Sequence, residues 1–326
     1  MAFHTMNIST QEISGRNFLV TGGAGFIGSH LVARLVTEGG QVRVIDDFST
    51  GHQSNLGEFL EKVELYEASV TDHEACRVAC EGVDYVLHQA ALPSVARSVK
   101  DPRATHQTCA SGTLNMLVAA HEAGVQRFVY AGSSSAYGDT PTLPKHENMA
   151  TNPRSPYAAA KLAGEQYAQV FPALFGLETV VLRYFNVFGP RQDPASFYSA
   201  VIPIFISAAL QGRAPTINGD GGQTRDFTYV ENVVAANLLA CFTSTEGVSG
   251  EVFNVGCGER ISVTDLWAII QAQLGVKIEA EYAPPRQGDV RDSLADLSKI
   301  SDGLGYKVLV SINEGLQLTA GWLKAL

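Results

Sequence analysis

Three glycines do most to limit what this chain can fold into. The run TGGAGFIGSH (21–30) places Gly22, Gly25 and Gly28 at three-residue spacing, straight after the apolar run NFLVTG (17–22) and just before the helical pattern SHLVARLVTEG (29–39). A strand must therefore turn within a few residues into a helix that lies almost against it. Glycine serves there for the tight turn, for close approach of backbone to a ligand, and for close helix–strand packing. The N–H groups that open the helix then face an anion. Alone, G-x-x-G-x-x-G is weak evidence. What gives it meaning is a strand before it, a helix after it and an acidic residue at the end of the next strand. The next strand-like run, QVRVID (41–46), ends on Asp46, 18 positions past Gly28. A carboxylate there accepts from ribose hydroxyls and repels a 2′-phosphate. Asp47 and Phe48 follow it, with no arginine, so the motif points to NAD rather than NADP.

The pattern then repeats. Short β-rich runs recur at 63–68, 85–90, 127–132 and 178–185, with helical segments such as ASGTLNMLVAAHEAG (110–124) among them. Strand–helix alternation predicts a parallel sheet with helices on both faces. Several runs are continuously apolar, as strands buried on both faces require. Beyond Asn186 glycine and proline become denser, at GPRQDP (189–194), NGDGGQ (218–223) and APPRQGD (283–289), while EVFNVG (251–256) returns to strand and TDLWAIIQAQLG (264–275) to helix. The expected fold is α/β: a Rossmann-type doubly wound parallel sheet with a smaller mixed α/β substrate-binding domain. Residues 1–185, with return elements near 226–258, would form the first domain, and 186–225 with 259–326 the second.

Composition narrows the function classes. The chain has 326 residues, 45% hydrophobic and only 17% charged, with a net charge of −10. That is ample core for a large folded unit and no electrostatic footprint for nucleic acid. Five cysteines show no framework spacing, and Cys76 and Cys80, four apart in a helical pattern, lack a second Cys/His pair. No metal site is expected, and the thiols read as reduced. The N-terminal stretch lacks the apolar centre of a signal peptide, and no apolar run approaches the roughly 20 residues that span a membrane. A soluble, cytoplasmic protein is expected, with no membrane partner.

Chemistry enters with SPYAAAK (155–161), where Tyr157 and Lys161 stand four apart on one helical face. Tyrosine, with an ordinary pKa of about 10, is a poor base. A neighbouring ammonium and a positive nicotinamide ring favour the phenolate, which would make it a general base near working pH. Tyr-x-x-x-Lys by itself is usually a solvated helix face. Here it follows a dinucleotide fingerprint and the serine triplet of GSSSAYG (132–138).

Together GGAGFIG, Asp46, SSSAYG, YAAAK and RYFNVFGPRQ (183–192) resemble the extended short-chain dehydrogenase/reductase family, specifically its NAD-dependent nucleotide-sugar epimerases and dehydratases. The resemblance runs from about Asn17 to Trp322. It implies that the Tyr157 phenolate takes the proton of a sugar C4 hydroxyl, that Ser133 hydrogen-bonds the same oxygen, and that Lys161 holds the nicotinamide ribose. A hydride then passes reversibly from C4 to bound NAD, giving a transient 4-keto sugar that turns before the hydride returns. For the cofactor it implies contacts from Gly22, Gly25, Phe26, Ile27 and Gly28; from Asp46, Asp47, Ser49, Thr50 and Gly51; from Ser69 and Val70; from Gln89, Ala90 and Ala91; and from Tyr157, Lys161 and Tyr184.

For the substrate the resemblance implies Ser133, Ser134, Ser135, Asn186 and Val201, diphosphate-clamping Arg225 and Arg286, ribose-binding Asp289, and Ser293. In the family's 4,6-dehydratases the places of Ser134 and Ser135 carry Asp and Glu. Alcohols are neither useful acids nor useful bases near pH 7, so elimination is disfavoured and C4 inversion favoured. At the position of Ser293 a small side chain leaves room for a C2 acetamido group. The expected activity is therefore C4 epimerisation of a UDP-sugar, N-acetylated hexoses (UDP-GlcNAc/UDP-GalNAc) included with UDP-Glc/UDP-Gal. A UDP-uronate 4-epimerase and a 4-ketoreductase are the alternatives. A non-catalytic NAD-binding scaffold would lack Ser133, Tyr157 or Lys161. Ser69 stands where the family often has an adenine-reading Asp, and Cys109 where it has an Asn. A homodimer packed through the Tyr157 helix and the one near 104–122 completes the expectation.

Overall fold

The computed structural model describes residues 10–193, 200–244, 246–285 and 290–326. Its centre is a seven-stranded sheet built from β1 (Asn17–Thr21), β2 (Gln41–Asp46), β3 (Val63–Glu67), β4 (Tyr85–His88), β5 (Arg127–Ser133), β6 (Glu178–Tyr184) and β7 (Glu251–Val255). Their spatial order is β3-β2-β1-β4-β5-β6-β7, and every pairing is parallel. The order reverses between β1 and β4, which opens a crevice at the carboxyl ends of the strands, where ligands of such sheets bind.

Alternate side chains of each strand enter different cores. Phe18, Val20, Val44, Leu87 and Val129 belong to one apolar cluster; Leu19, Ile45, Val86, Phe128 and Val181 belong to another on the opposite face. Both faces are covered, which is why the strands read as unbroken apolar runs rather than alternating ones. Each such side chain, fully buried, contributes roughly 1.5–3 kcal/mol over its exposed state.

Two helices fix the site. Helix α1 (Phe26–Thr37) starts three residues earlier than the sequence pattern suggests, because Gly25 is its extended cap. Gly28 therefore lies in the first helical turn. Helix α2 (Pro156–Phe175) opens with the Ser155 hydroxyl accepting from the Ala158 N–H at 3.1 Å and with Pro156 in the first turn, where its missing N–H costs nothing. Left-handed Gly176 (φ +73°) ends it. The helix expected over 110–124 divides into a π-helical stretch, Gln107–Ser111, and an α-helix, Gly112–Glu122.

Beyond β6 the chain builds a further apolar core around Phe188, Phe205, Phe227, Trp267 and Leu316. Phe26 and Ile27 from the start of α1 also pack on it, so the glycine turn sits where this core meets the sheet. Among the described residues, no helix is long and apolar enough to cross a membrane.

Candidate active site

The first cleft lies at the switch point. It is lined by Gly22, Gly25, Phe26, Ile27 and Gly28, by Asp46, Asp47, Ser49 and Thr50, by Val70, by Gln89, Ala90 and Ala91, and by Tyr157, Lys161 and Tyr184. Gly22 takes φ +63°, and a Cβ on it would stand 2.9 Å from the Ala90 backbone; a Cβ on Gly28 would stand 2.1 Å from the Gly22 carbonyl oxygen. Only glycine fits this cradle, and an elongated diphosphate-bearing cofactor fits a groove so floored. Asp46 accepts from the Ala24 and Phe48 N–H groups, each at 2.9 Å. Burial raises its pKa, and these hydrogen bonds oppose the rise.

Two expected cofactor contacts are placed otherwise. Ser69 is not on the cleft wall: its hydroxyl accepts from the Thr71 hydroxyl at 3.0 Å and closes a local turn. Gly51 also stands off the wall, and a Cβ there would come within 3.0 Å of both Asp46 oxygens, so it makes room for that carboxylate. Pro93, Thr108 and Gly132 line the cleft without having been singled out from sequence. Their signal was position alone, at strand ends and the π-helical turn.

Under the cleft, β1 and β4 are pinned by a buried hydroxyl–imidazole chain. Thr21 accepts from the Ala90 N–H at 3.1 Å and so turns its proton to His88 Nδ1, 2.8 Å away. His88 Nε2 then donates to Thr113 Oγ1 at 3.0 Å, and Thr113 donates to the Cys109 carbonyl at 2.8 Å. The chain requires a neutral ring, and burial lowers the His88 pKa to about 3. Asn237, also missed in sequence, donates to the Tyr184 hydroxyl at 2.8 Å and accepts from Gln89 at 3.1 Å.

Tyr157, Lys161 and Ser133 come together at one edge of this cleft. Ser133 ends β5, shares a 2.8 Å hydrogen bond with the Ser135 hydroxyl, and lies within hydrogen-bonding reach of Tyr157. Lys161 is buried with Nζ 4.3 Å from the Tyr130 ring centroid. The Tyr130 hydroxyl donates to the Lys161 carbonyl at 3.0 Å. Gly164 makes this possible, since a Cβ there would lie 2.4 Å from the Tyr130 oxygen. Burial brings Lys161 down to about 8, while Cys109 and Glu165 hold it up.

The lowered tyrosine pKa expected from the Tyr-x-x-x-Lys spacing is not found in the protein alone. Burial raises the Tyr157 pKa well above its ordinary value, Cys109 adds to the rise, and the Ser133 hydrogen bond opposes it. Burial is the main cause; the Lys161 ammonium, one turn along the helix, lies against the Tyr130 ring.

A second cleft adjoins the first. Ser133, Ser134, Ser135, Asn186, Arg225 and Ser293 line it, and Phe26, Ile27, Gly132, Tyr157 and Tyr184 belong to both clefts. Tyr137 of the GSSSAYG run lines it as well, and so do Lys145 and Asp292, which were not anticipated and which no local motif marks. A third hollow continues from Asn186 and Arg225 to Val201, Phe188, Ile217 and Phe227. Arg225 donates to the Thr224 and Arg291 carbonyls at 2.9 and 3.1 Å. Asn186 donates to the Asp226 carbonyl at 3.1 Å. The Asp226 carboxylate, raised to about 6 by burial, accepts from the N–H groups of Cys257, Gly258 and Ala295, so one buried side chain ties the 257–258 turn and Ala295 to the segment that carries Arg225. Arg286 and Asp289 lie outside the described residues. Among the described residues, no group of three His, Cys, Asp or Glu is placed to hold a metal ion.

Known proteins match this arrangement over almost its whole length. The model of the NAD dependent epimerase/dehydratase family matches residues 18–256. A putative UDP-glucose 4-epimerase of Methanocaldococcus jannaschii is 38% identical over 94% of this chain and 98% of its own. The UDP-glucose 4-epimerase of Thermotoga maritima, solved with UDP-glucose, superposes with a TM-score of 0.90 at 40% identity, covering 95% of this chain and 99% of that one. The UDP-N-acetylglucosamine 4-epimerase of Methanobrevibacter ruminantium, solved with UDP-N-acetylmuramic acid, also gives 0.90, at 38% identity over 96% and 99%. With a glycine cradle shaped for the dinucleotide and relatives of this kind spanning both cores, the chain belongs to the NAD-dependent epimerase/dehydratase family and is an epimerase that works with NAD.

Proposed function

We propose that the protein inverts C4 of a UDP-sugar through a transient 4-keto sugar, and that N-acetylated hexoses are accepted along with the plain ones. The observation that carries this reading is the shared wall: Tyr157 borders both clefts, with Ser133 beside it. Bound NAD would supply the acceptor and donor for the C4 hydride. Gly22, Gly25 and Gly28 would seat its diphosphate, and Asp46 its adenosine ribose. Tyr157 takes and gives back the proton of the C4 hydroxyl, and Ser133 hydrogen-bonds the same oxygen. Lys161, protonated below about pH 8, supplies the positive charge that favours a phenolate. Arg225 offers a guanidinium fork to the diphosphate, with Arg286 and Asp289 as its expected companions. Serines at 134 and 135 put no carboxylate at the two places where the family's dehydratases carry their Asp and Glu.

The wider substrate range rests on Ser293, whose small side chain faces the sugar cleft. Incubating purified protein with UDP-GlcNAc, UDP-Glc and their uronates, and resolving products by NMR, tests the proposal. C4 inversion of UDP-GlcNAc without net NADH consumption is expected. Turnover of the plain hexose alone would sink the Ser293 argument, and consumption of NADH would indicate a reductase.

A second copy of the chain is the proposed partner. On α2, Tyr167, Val170 and Leu174 stand three and four residues apart and are 41%, 46% and 70% exposed, an apolar stripe of helical period. Sedimentation at micromolar concentration should give the mass of two chains; the mass of one would reject the pairing.

A further inference from the structure

Behind the reacting side chains, α2 meets the sheet through a buried ion pair that no motif announces. Glu165 lies one helical turn past Lys161 and two past Tyr157, on the same face. Its carboxylate receives two hydrogen bonds from Arg183, Nε at 2.9 Å and Nη2 at 2.5 Å. The two side chains are 1% and 4% exposed. Arg183 sits on β6, in register with Gly132 of β5 and one residue before Tyr184. Its guanidinium carbon lies 4.6 Å from the centroid of the Tyr137 ring. Tyr137 closes the 3-10 turn that begins at Ser134, and its hydroxyl donates to Asn254 Oδ1 at 2.7 Å. Helix, strand and serine segment are thus joined through one guanidinium.

We propose that Glu165 and Arg183 are a positioning pair, which fixes the axial setting of the Tyr157–Lys161 helix against the Ser133 segment. The inference rests on the reading of Tyr157, Lys161 and Ser133 as the reacting set. Stability alone does not account for the pair, because a buried ion pair is often no better than two apolar residues of equal volume. What a bidentate fork adds is direction. Apolar side chains tolerate a slide along the helix axis; two parallel N–H···O bonds to one carboxylate do not. A misplacement of about 1 Å between reacting groups costs on the order of 100-fold in rate.

The pair also supplies charge. The groups facing Lys161 are Tyr157 and Glu165 from its own helix, the Tyr130 ring from β5, the Cys109 thiol from the π-helical stretch and neutral His88 from β4. Glu165 is the carboxylate among them, and it favours the ammonium.

Three variants test this, each assayed with bound NAD and thermal melting recorded. Glu165→Gln should lower kcat about 100-fold with KM changed less than about threefold, and should move the basic limb of the kcat profile about one unit to lower pH. The double variant Glu165→Leu/Arg183→Met removes both charges while keeping apolar volume, so it should melt near the parent temperature and still be slow. A double variant that holds NAD and turns over at the parent rate overturns the proposal, as does a folded Glu165→Gln with unchanged kcat and pH profile. Tyr157→Phe separates the two levels. If it keeps the parent rate, the reacting set is misassigned; if it is inactive while the double variant is fully active, only the positioning role fails.

Discussion

The walls of the first cleft are mostly the ends of neighbouring strands, whereas those of the second cleft are segments that meet from distant parts of the chain. The first is made largely by residues 22–28, 46–50, 89–93, Ala68 and Val70, at or just past the ends of strands of one sheet, with Thr108, Tyr157 and Lys161 added from helices. The second gathers 132–138, Lys145, 184–187, Arg225 and 290–293, held by cross-links such as the Asp226 carboxylate. A sheet edge offers few degrees of freedom, so cofactor geometry follows from register. Loop walls carry no such constraint, which makes them the natural place for substrate choice to vary.

That contrast is open to attack from both sides. The largest effect is expected from Gly28→Ala. Its Cβ would stand 2.1 Å from the Gly22 carbonyl oxygen and 2.8 Å from the Gly23 Cα, and both neighbours are backbone. The variant should bind less NAD than the parent, lose activity on every sugar alike, and be less stable by about 1–3 kcal/mol. Released dinucleotide measured after acid precipitation, with a urea melt, checks this. Retention of NAD at the parent level would show that the cradle can yield.

A narrower effect is expected from Ser293→Tyr. The ring would enter the second cleft alone, so NAD content and stability should stay near the parent values. Turnover of UDP-GlcNAc should fall about 100-fold, while that of UDP-Glc changes by less than about tenfold. Parallel kinetics on the two sugars decide it. Equal losses on both would mean that the two clefts are not separable at this position.

How much was legible in the sequence follows the same division. Each strand of the sheet, the glycine turn and the Asp46 terminus have signals confined to a few adjacent residues, and the structure places the strand ends within two positions of the expected ones. Ser133, Tyr157 and Lys161 were also local patterns, given context. Lys145 and Asp292 were not, because what brings them to the second cleft is the pairing of 145 with 295 and of 224 with 292, contacts of long sequence separation. The Tyr157 pKa in the protein alone was illegible for a related reason. Spacing gives the helical face that Lys161 shares, but only the fold shows how deeply Tyr157 is buried, which raises it, and that the ammonium lies against Tyr130 of β5.

Tyr130 has a consequence for anyone wishing to move this chemistry to another scaffold. Its ring faces the Lys161 ammonium, its hydroxyl binds the Lys161 carbonyl, and the missing side chain of Gly164 admits it. A helix grafted with Tyr-x-x-x-Lys alone would carry the visible pattern without its seat. The smallest transplantable piece is a helix with a glycine three residues past the lysine, together with a strand that presents a tyrosine to it.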